Sequence, residues 1–554
     1  MADKEGLVIG SDGYFSLAGQ RFVPVGANYW PGSCGVEQWQ RWPVDEMQRD
    51  LDLVVCLGFN SVRFFLRWQD FEPQAGQYEP VMFERLTQFL TWCAERDLYA
   101  HPSLFVGWMS GGTFWPEWKG ERNLFADPFM VVRAAAFARQ AAAVIAPFHR
   151  HVLAIDQGNE ICCLSDSPAA PPHTVIEWCR RVNEAIRSVY PHCLILSGNE
   201  QNQILNDTGW RFGDQPGTDL YSMHGYPVPA WHTIGFDGMT DPLSQSLLPF
   251  YTQAARAFGP VMVQEFGTIV TFGPRQQDSY LRAVLPACWE AGANGFLWWC
   301  LRDITAEVHP YRTQRFESTL GLVDARGKVK PGLEYWIEFA HMVRERPAPV
   351  SGGEEIGLYW PRHFYPRENP QNPGNAPRLL SRWLTMANFF LRQLGYAVRV
   401  VRGDLPLDPG LRTIVIPGAL LDLGEVNALD AWVRSGHTLI WHGPDPVNWG
   451  HEYIALLGAR PVDYRADRPA TVELFGNVWT LDTFPRSMRV ELVPDGATTL
   501  AADQDGLPTV LAHRAGQGKV IYALPVVESS IADDASDREA RSRWQRWYAG
   551  MLQA

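Results

Sequence analysis

Apolar and polar positions follow two periods along the first 345 residues. Short apolar runs of strand length alternate with longer stretches in which apolar residues recur at the helical spacing. The predicted strands cover residues 22–26, 61–66, 98–105, 152–157, 194–197, 220–224, 261–264 and 295–299. The predicted helices cover residues 43–57, 80–96, 128–146, 174–189, 243–257, 276–291 and 332–345. After the fifth strand, residues 201–219 have the pattern of a loop instead of a full helix.

Eight strands that alternate with helices predict an α/β fold, a closed (β/α)8 barrel of parallel strands rather than an open sheet. Residues 7–23 alternate apolar and polar around two turn signals, which predicts a short hairpin ahead of the barrel. In a barrel of this kind the C-terminal ends of all strands open onto one face, so residues that are far apart in sequence meet there.

The pattern changes after residue 345. A Pro- and Gly-rich linker comes first, and predicted strands at 356–359, 397–401, 413–416 and 438–441 then alternate with helices at 377–394 and 424–435, as in a small doubly wound α/β unit. The last part has predicted strands at 471–474, 478–481, 510–513 and 519–523 and a final helix at 537–552. The predicted domains are a barrel (1–345), an α/β domain (346–465) and a β-rich C-terminal region (466–554).

Composition restricts the partners and the compartment. A chain of 554 residues with 46% apolar and 20% charged residues is typical of a globular protein of more than one domain. The net charge of −13 argues against nucleic acid or an anionic membrane as a partner. The first residues lack the basic and apolar segments of a leader, and no window is expected to span a membrane. We therefore expect a cytoplasmic protein, secreted only if a leader precedes this sequence. The nine cysteines lack metal-type spacing, and neither a metal nor a cofactor is expected.

Two strand ends carry carboxylates. The fourth predicted strand runs into Asn159-Glu160, and the seventh ends at Glu265 in the run Val-Met-Val-Gln-Glu. A single glutamate at a strand end is an ordinary loop-edge acid. Two such acids on one barrel face are what cleavage of a glycosidic bond needs, one to protonate the leaving oxygen and one to attack or assist.

Further polar and aromatic residues fall at the same predicted face. Arg63 lies within an apolar strand, where a buried cation needs a carboxylate partner, so we expect it to pair with one glutamate and to depress the pKa of that group. Tyr226 is placed to hydrogen-bond the same carboxylate. An aromatic platform suits a sugar ring. Alternation lets only one of Trp298 and Trp299 face the interior, and we predict Trp298.

These residues carry a family resemblance. Asn159-Glu160, His224-x-Tyr226, Glu265 and Trp298, in this order on strands four, six, seven and eight, resemble the retaining glycoside hydrolases of clan A. Family 5, with its β-mannanase and β-mannosidase branches, is the most similar. The resemblance covers roughly residues 5–345. It implies Glu160 as acid/base, Glu265 as nucleophile, Asn159 as a contact to the sugar 2-hydroxyl, Arg63 and Tyr226 as supports of the nucleophile, and Trp298 as the floor of the sugar subsite.

Several candidates have a structural alternative. Asn28 and Trp30 follow the first strand and are candidate substrate contacts. His224 alone would more often be a structural histidine, and His101, in the middle of a strand, fits either role. Glu200 competes with Glu160, because Gly198-Asn199-Glu200 repeats the Gly-Asn-Glu pattern on strand five; we rank it lower. The loop that contains Trp108 and Trp115 is expected to wall the sugar site, with packing against another domain or subunit as the alternative.

The predicted α/β domain resembles the glutamine-amidotransferase-like domain of some clan A β-galactosidases. All nine cysteines lie at or before Cys300, so this domain has no thiol nucleophile. We expect it to have a structural role or to form a contact between subunits, and in the second case the protein would be a homo-oligomer. The sequence hypothesis is thus a retaining, exo-acting β-glycosidase for short β-mannosides or β-glucosides. The alternatives are an endo-β-mannanase or endoglucanase and a non-catalytic carbohydrate-binding barrel.

Overall fold

The structure is a computed structural model, and all structural statements refer to the residues that it describes. These are residues 6–227, 239–268, 273–324, 326–345, 353–365, 376–443, 451–466, 470–481, 488–524, 526–533 and 537–554. Their contacts divide the chain near residue 350 into two compact units, which are described separately.

The first unit is a closed barrel of eight strands, β1–β8, as predicted. Each strand pairs in parallel with the next, and β8 pairs with β1. The strands are Val25–Asn28 (β1), Ser61–Phe65 (β2), Tyr99–Phe105 (β3), Ile155–Gly158 (β4), Ile195–Ser197 (β5), Leu220–Gly225 (β6), Val261–Phe266 (β7) and Ala293–Trp298 (β8). The first strand begins three residues later than predicted, because Phe22 belongs to a preceding antiparallel sheet.

Helices follow the strands as the helical period predicts, at Val44–Cys56, Pro80–Glu95, Pro128–Ile145, Pro172–Arg187, Leu247–Arg256, Pro274–Glu290 and Glu334–Glu345. Their starts have a local cause: the helix at Pro128 has proline in its first turn, and Asp127 accepts hydrogen bonds from Phe129 N and Met130 N. Between β5 and β6 the described residues form only the short helix Asn202–Leu205. The prediction of a loop instead of a full helix there is therefore confirmed, apart from this single turn.

Large apolar side chains fill the N-terminal half of the barrel. Leu196, Leu220, Met262 and Leu297, from four successive strands, form one buried cluster with Phe15 of the preceding sheet. That sheet has three short strands, Val8–Ile9, Phe15–Leu17 and Gln20–Phe22, where a hairpin was predicted. It closes this end of the barrel, so the polar groups of the interior lie toward the other end.

One sequence expectation about membranes is wrong. The segment Pro128–His151 is long and apolar enough to cross a membrane by length and composition. It includes the barrel helix Pro128–Ile145, whose buried face contains Met130, Ala134, Phe137 and Ala141. The core helix of a soluble protein passes the same test, so one such segment is weak evidence for membrane insertion.

The second unit is built on a seven-stranded sheet. In chain order its strands are Glu355–Trp360 (β9), Ala397–Arg402 (β10), Thr413–Pro417 (β11), Thr438–His442 (β12), Thr498–Ala502 (β13), Pro508–Ala515 (β14) and Gly518–Ala523 (β15). Their order in the sheet is β10-β9-β11-β12-β15-β14-β13. The first five in this order are parallel, as expected for a doubly wound unit, and the last two pairings are antiparallel. Its helices are Pro377–Gln393, Leu423–Arg434, His451–Leu457, Val527–Asp533 and Arg538–Gln553.

The predicted division at residue 465 does not match this sheet. β13, β14 and β15 come from the region predicted as a separate β-rich domain, yet β15 pairs with β12 of the α/β part. The contacts accordingly place residues 351–554 in one unit. Only two ribbons, Ala459–Ala466 with Met488–Pro494 and Ala470–Leu474 with Asn477–Leu481, lie outside the sheet among the described residues.

Candidate active site

The two glutamates meet at the C-terminal ends of β4 and β7. Glu160 follows β4 in the left-handed backbone region, at φ 47° and ψ 51°, a conformation that non-glycine residues adopt mainly where function or packing imposes it. One carboxylate oxygen of Glu160, one of Glu265 and a ring nitrogen of His224 all lie within 4.8 Å of one another. Oxygen atoms this close favour the retaining arrangement, in which the carboxyl groups are about 5–5.5 Å apart, over the inverting arrangement at about 6.5–9.5 Å.

Glu265 is held by two donors. Tyr226 donates its hydroxyl hydrogen to Oε1 at 2.6 Å, and Arg63 donates from Nη1 to Oε2 at 3.0 Å. Each oxygen of the carboxylate thus accepts one hydrogen bond, and the two bonds together hold the carboxylate in one orientation. The sequence prediction that Arg63 and Tyr226 share one glutamate therefore matches the geometry.

All five N–H donors of Arg63 are used. Besides Glu265, the guanidinium donates to Asn28 Oδ1 at 3.0 Å, Asp156 Oδ2 at 2.8 Å, Asn159 Oδ1 at 2.9 Å and Ser103 Oγ at 2.9 Å. Arg63 is fully buried, so two carboxylates and three neutral acceptors compensate one cation that water does not reach. This network ties β2 to β1, β3, β4 and β7.

Burial raises the pKa of Glu265 above its ordinary value. His224, Arg63 and Tyr226 act in the opposite direction without cancelling that effect. The expectation that Arg63 would depress the pKa of its glutamate is therefore wrong in net direction. The sequence showed the attractive partner, whereas the desolvation of a fully enclosed carboxylate follows only from the packing.

Glu160 has the environment of a general acid. Its Oε1 lies 2.9 Å from His224 Nδ1, and burial raises the pKa of Glu160 to about 7, with Arg63 opposing the rise. Its side chain is still 16% exposed, in contrast to the more enclosed Glu265 at 7%. Glu160 thus holds a proton near neutral pH at a place that an incoming molecule can reach.

The tryptophan prediction on β8 is wrong. Trp298 points outward: it makes an edge contact with Phe266, which in turn packs on Trp336 of the last barrel helix, and its indole N–H donates to Leu320 O. Trp299 belongs to the aromatic cluster at the C-terminal end, with an edge contact to Phe65. Leu297 faces the barrel interior, so alternation returns position 299 to that side.

Two other predicted substrate contacts lie beneath the site. Asn28 is fully buried, and its amide N–H groups donate to backbone carbonyls of Gln264, at 3.0 Å, and of Trp298, at 3.2 Å. His101 is fully buried as well and bonds Ala154 O and Gln264. Both side chains are fully enclosed by their hydrogen-bond partners inside the barrel, so they support the site and do not line it.

Asn159 and the loop after β3 are joined. Asn159 donates from Nδ2 to the backbone oxygen of Trp108 at 2.7 Å, which places the small hairpin Trp108–Met109 and Gly112–Thr113 beside Glu160. Met109 and Phe114 of this loop pack in one cluster with Trp30 and Trp299.

Trp30 belongs to this aromatic cluster, whereas Trp115 has a different aromatic partner. The buried Trp30 ring stacks on Phe65 with centroids 5.1 Å apart. Trp115 makes an edge contact with Trp68 at 6.4 Å and stays half-buried. That the loop with Trp108 and Trp115 walls the site, and that either Trp30 or Trp115 contacts a sugar, stay predictions.

Glu200 has its own partners. Its Oε1 accepts from Cys162 Sγ at 3.0 Å and from Asn202 N at 2.8 Å, and burial raises its pKa to about 7. The repeated Gly-Asn-Glu pattern has a packing cause: a Cβ on Gly198 would lie 1.9 Å from the backbone oxygen of Gly158. Glycine is required there because β4 and β5 approach closely, so packing accounts for the glycine of the repeat, and the lower rank of Glu200 as a catalytic acid stays a prediction.

Sequence reasoning missed three polar residues of the site. Asp156, fully buried in β4, accepts from Arg63, Ser103 and Gln264. An acid inside an apolar strand was a signal that could have identified it as the partner of Arg63. Gln264 gave a similar signal one residue before Glu265. Glu317 gave none: it lies in the short 3-10 helix Arg315–Thr319 after β8, where it accepts from Trp299 Nε1 at 3.0 Å, and burial raises its pKa to about 7.

Two groups among the described residues bring three potential ligand atoms within 4.8 Å, namely Glu160 with His224 and Glu265, and Cys162 with Cys163 and Glu200. In both groups the atoms already pair with one another by hydrogen bonds, and Glu265 also accepts from a guanidinium. A proton accounts for the first contact and thiol hydrogens for the second, so we assign neither group as a metal centre.

The chain is similar to a known enzyme family and to solved structures. The sequence profile described as cellulase (glycosyl hydrolase family 5) matches residues 23–303. A solved exo-beta-1,4-mannosidase from Opitutaceae bacterium strain TAV5 is 51% identical, with a TM-score of 0.94, and the match covers 98% of this chain and 99% of that chain. No curated protein sequence gives a significant match.

More distant structures share the fold. A GH5_18 protein from Streptomyces cattleya, solved in complex with GlcNAc, is 23% identical over 72% of this chain and 99% of that chain, with a TM-score of 0.63. A beta-galactosidase from the haloarchaeon Halorubrum lacusprofundi is 17% identical over 94% of this chain and 90% of that chain, with a TM-score of 0.67. The family profile, the 51% identical relative and the paired glutamates agree: this chain is a glycoside hydrolase and belongs to glycosyl hydrolase family 5.

Proposed function

We propose that the protein is a retaining exo-β-mannosidase that removes single β-1,4-linked mannosyl residues from short oligosaccharides. The observation that carries the proposal is the 51% identity, over nearly the full length of both chains, to a protein described as an exo-beta-1,4-mannosidase. The spacing of Glu160 and Glu265 supports the retaining mechanism.

The proposed reaction has two displacements. Glu265 attacks the anomeric carbon, the bond to the leaving oxygen breaks, and that oxygen takes the proton of Glu160. Glu160, now ionised, removes a proton from water, the water oxygen bonds the anomeric carbon, and the ester to Glu265 breaks. Arg63 and Tyr226 hold Glu265 in place before the attack and bond the released carboxylate after it.

The roles proposed for the remaining residues follow their positions. We propose that Trp299, in place of Trp298, presents its ring to the sugar, oriented by the bond from its indole N–H to Glu317. The second N–H of Asn159 is proposed as the donor to the 2-hydroxyl, since its first N–H and its oxygen are used by Trp108 and Arg63. With these two contacts the sugar would be held between Glu160 and Glu265.

A panel of nitrophenyl β-glycosides followed by product analysis tests the proposal. We expect turnover of the mannoside above the glucoside and galactoside, and free mannose as the only early product from short β-1,4-mannooligosaccharides. A ladder of oligosaccharides with a rapid loss of polymer viscosity would support an endo-β-mannanase or endoglucanase instead. Absence of turnover with binding of sugars would support a carbohydrate-binding barrel.

The pH dependence should differ between substrates. The acid form of Glu160 is required when the leaving group needs a proton, and its pKa of about 7 means that this form is lost as pH rises through 7. For a disaccharide we therefore expect kcat/KM to fall above pH 7, whereas for a dinitrophenyl glycoside this alkaline decrease should be absent. Equal decreases for both substrates would contradict the assignment of Glu160 as the acid.

Glu200 should be dispensable for the chemistry. The Glu200→Gln variant retains an oxygen that accepts from Cys162 and Asn202, and it loses only a charge outside the bond-breaking steps. We expect the rate with activated substrates to stay within about tenfold of the native protein, a change in barrier of about 1.4 kcal/mol. A loss equal to that of removing Glu265 would identify Glu200 as part of the catalytic pair.

For the second unit we propose a non-catalytic role in assembly. Support comes from the sequence, in which every cysteine lies at or before Cys300, so thiol chemistry of the amidotransferase type is excluded. Sedimentation of the intact chain measures the oligomeric state directly.

A further inference from the structure

A chain of hydrogen bonds leads from the barrel interior to Glu160. His101 Nδ1 lies 2.8 Å from the backbone oxygen of Ala154, and His101 Nε2 lies 2.7 Å from Gln264 Nε2. On its other side Gln264 Oε1 lies 2.9 Å from His224 Nε2, and His224 Nδ1 lies 2.9 Å from Glu160 Oε1. Each contact requires one donor and one acceptor, so the hydrogen positions can be worked out along the chain.

The backbone end fixes His101. A carbonyl oxygen can only accept, so Nδ1 of His101 carries its hydrogen and donates to Ala154 O. Burial lowers the pKa of His101 to about 4, which leaves the ring neutral and Nε2 an acceptor. The nitrogen of the Gln264 amide must then donate to His101.

Asp156 fixes the orientation of Gln264 independently. Its carboxylate oxygen Oδ2 lies 3.0 Å from Gln264 Nε2 and can only accept. The two amide hydrogens of Gln264 are thus used by Asp156 and His101, and the oxygen Oε1 faces His224. If the amide were turned over, its oxygen would face a carboxylate with no hydrogen between them. His224 therefore donates from Nε2 to Gln264.

This tautomer determines what His224 offers to Glu160. Burial lowers the pKa of His224, so this ring is neutral as well. With its hydrogen on Nε2, the ring has a lone pair on Nδ1, the atom that lies 2.9 Å from Glu160 Oε1 and 3.4 Å from Glu265 Oε2. The Glu265 oxygens are acceptors for Arg63 and Tyr226. The hydrogen for the Nδ1 contact must therefore come from Glu160, so the acid carries its proton before the substrate binds.

We propose that Gln264 is a positioning residue of the reaction: by holding His224 in the Nε2–H tautomer, it keeps on Glu160 the proton that the leaving oxygen will take. The inference rests on the proposed roles of Glu160 and Glu265. Six titratable or charged groups surround His224, and they come from five of the barrel strands or their ends: Arg63, His101, Asp156, Glu160, Glu200 and Glu265. Gln264 is the neutral group that links His101 and Asp156 to His224.

The Gln264→Met variant tests this proposal. Methionine has a similar length but no hydrogen-bonding amide, so His224 is free to carry its hydrogen on Nδ1 and to donate it to an ionised Glu160. We expect kcat/KM for a β-linked disaccharide to fall about 30-fold or more, within the range that general acid catalysis contributes. For the dinitrophenyl glycoside, whose leaving group needs no proton, the first step should change by less than about threefold.

Met262→Ala is the matched control. Met262 lies two residues earlier on the same strand, faces the interior cluster and takes no part in the hydrogen bonds that link His101, Gln264, His224 and Glu160. This substitution should lower the stability of the barrel but leave unchanged the ratio of kcat/KM for the disaccharide to kcat/KM for the dinitrophenyl glycoside. Loosened packing in the control would lower kcat/KM for both substrates equally. If Gln264→Met also lowers kcat/KM equally for the disaccharide and the dinitrophenyl glycoside, the proposal is wrong.

A spectroscopic readout is independent of rate. In protein labelled with ¹⁵N-histidine, the resonances of His224, identified by their loss in His224→Phe, should show a protonated Nε2 and an unprotonated Nδ1, and Gln264→Met should reverse this. A native His224 with hydrogen on Nδ1 would overturn the proposal even if the rates behaved as expected. A native protein that cleaves no glycoside would refute the proposed function instead, so the two failures are distinguishable.

Discussion

Glu265→Ala should lose turnover with every glycoside, by about 10⁵-fold or more, the scale on which removing a covalent nucleophile acts in other hydrolases. The loss should not depend on the leaving group, because without this carboxylate no glycosyl ester forms on the enzyme. Nitrophenol release from a mannoside, followed until endogenous background activity is resolved, measures the loss.

The control for this variant addresses folding. Alanine leaves Arg63 without one of its two carboxylates, so the buried cation is less compensated and the barrel is less stable. Glu265→Gln keeps an oxygen that can accept from Arg63 or Tyr226 and should be equally inactive while folding normally. A 2-deoxy-2-fluoro glycoside should add its glycosyl mass to a peptide containing residue 265 in the native protein only. The same label on Glu200 or Glu160 would refute the assignment.

Glu160→Ala should separate the two steps. With a disaccharide, whose leaving oxygen needs a proton, we expect a fall of about 10²- to 10⁴-fold, the contribution of general acid catalysis. With a dinitrophenyl glycoside the first step should persist, and the glycosyl-enzyme should accumulate because no base activates water. A burst of dinitrophenol followed by a slow steady state is the expected signature.

Azide completes this test. A small anion needs no base to attack the anomeric carbon, so azide should restore turnover of the dinitrophenyl substrate and yield the β-glycosyl azide, the retained configuration. Glu200→Ala serves as the matched control, since it also removes a buried carboxyl group with a pKa near 7 but should show neither a burst nor rescue. An α-azide or equal losses with both substrates would contradict the double displacement.

The barrel and the meeting of two glutamates at one end of it could be predicted because their signals are local. Each strand is a short apolar run, each long helix has its own period, and strand order then places Glu160 and Glu265 on one face without knowledge of packing. Arg63 was identifiable for a similar reason: a cation in an apolar strand requires an acceptor wherever the strand lies.

Local sequence signals could not decide which of Trp298 and Trp299 faces the barrel interior. The answer depends on the phase of alternation at the last residue of β8, and an error of one position reverses which ring faces inward. Leu297 in the interior cluster fixes that phase, but its place there is known only once neighbouring strands are in register. The same applies to Asn28 and His101, because a polar residue on the inner face can line the site or lie beneath it.

The network around His224 and the second unit could not be predicted for another reason. Gln264, Asp156 and His101 acquire their meaning from contacts between strands that lie far apart in sequence. In the second unit, the apolar run of β15 fits an edge hairpin as well as a central strand, so the predicted boundary at 465 separated strands that pair.

The position of β15 has a consequence for synthesis of the chain on the ribosome. β12 is complete at His442, yet the strand that pairs with it, β15, begins only at Gly518. During translation of the intervening residues β12 has one open edge, an apolar strand with unpaired backbone groups of the kind that recruits other strands. The second unit can therefore complete its sheet only after residue 523 has left the exit tunnel, whereas all eight strands of the barrel have been made by Trp298. Nascent chains should pass through a stage in which a finished barrel carries an unfinished, aggregation-prone sheet, and a chaperone that covers β12 would act in that interval.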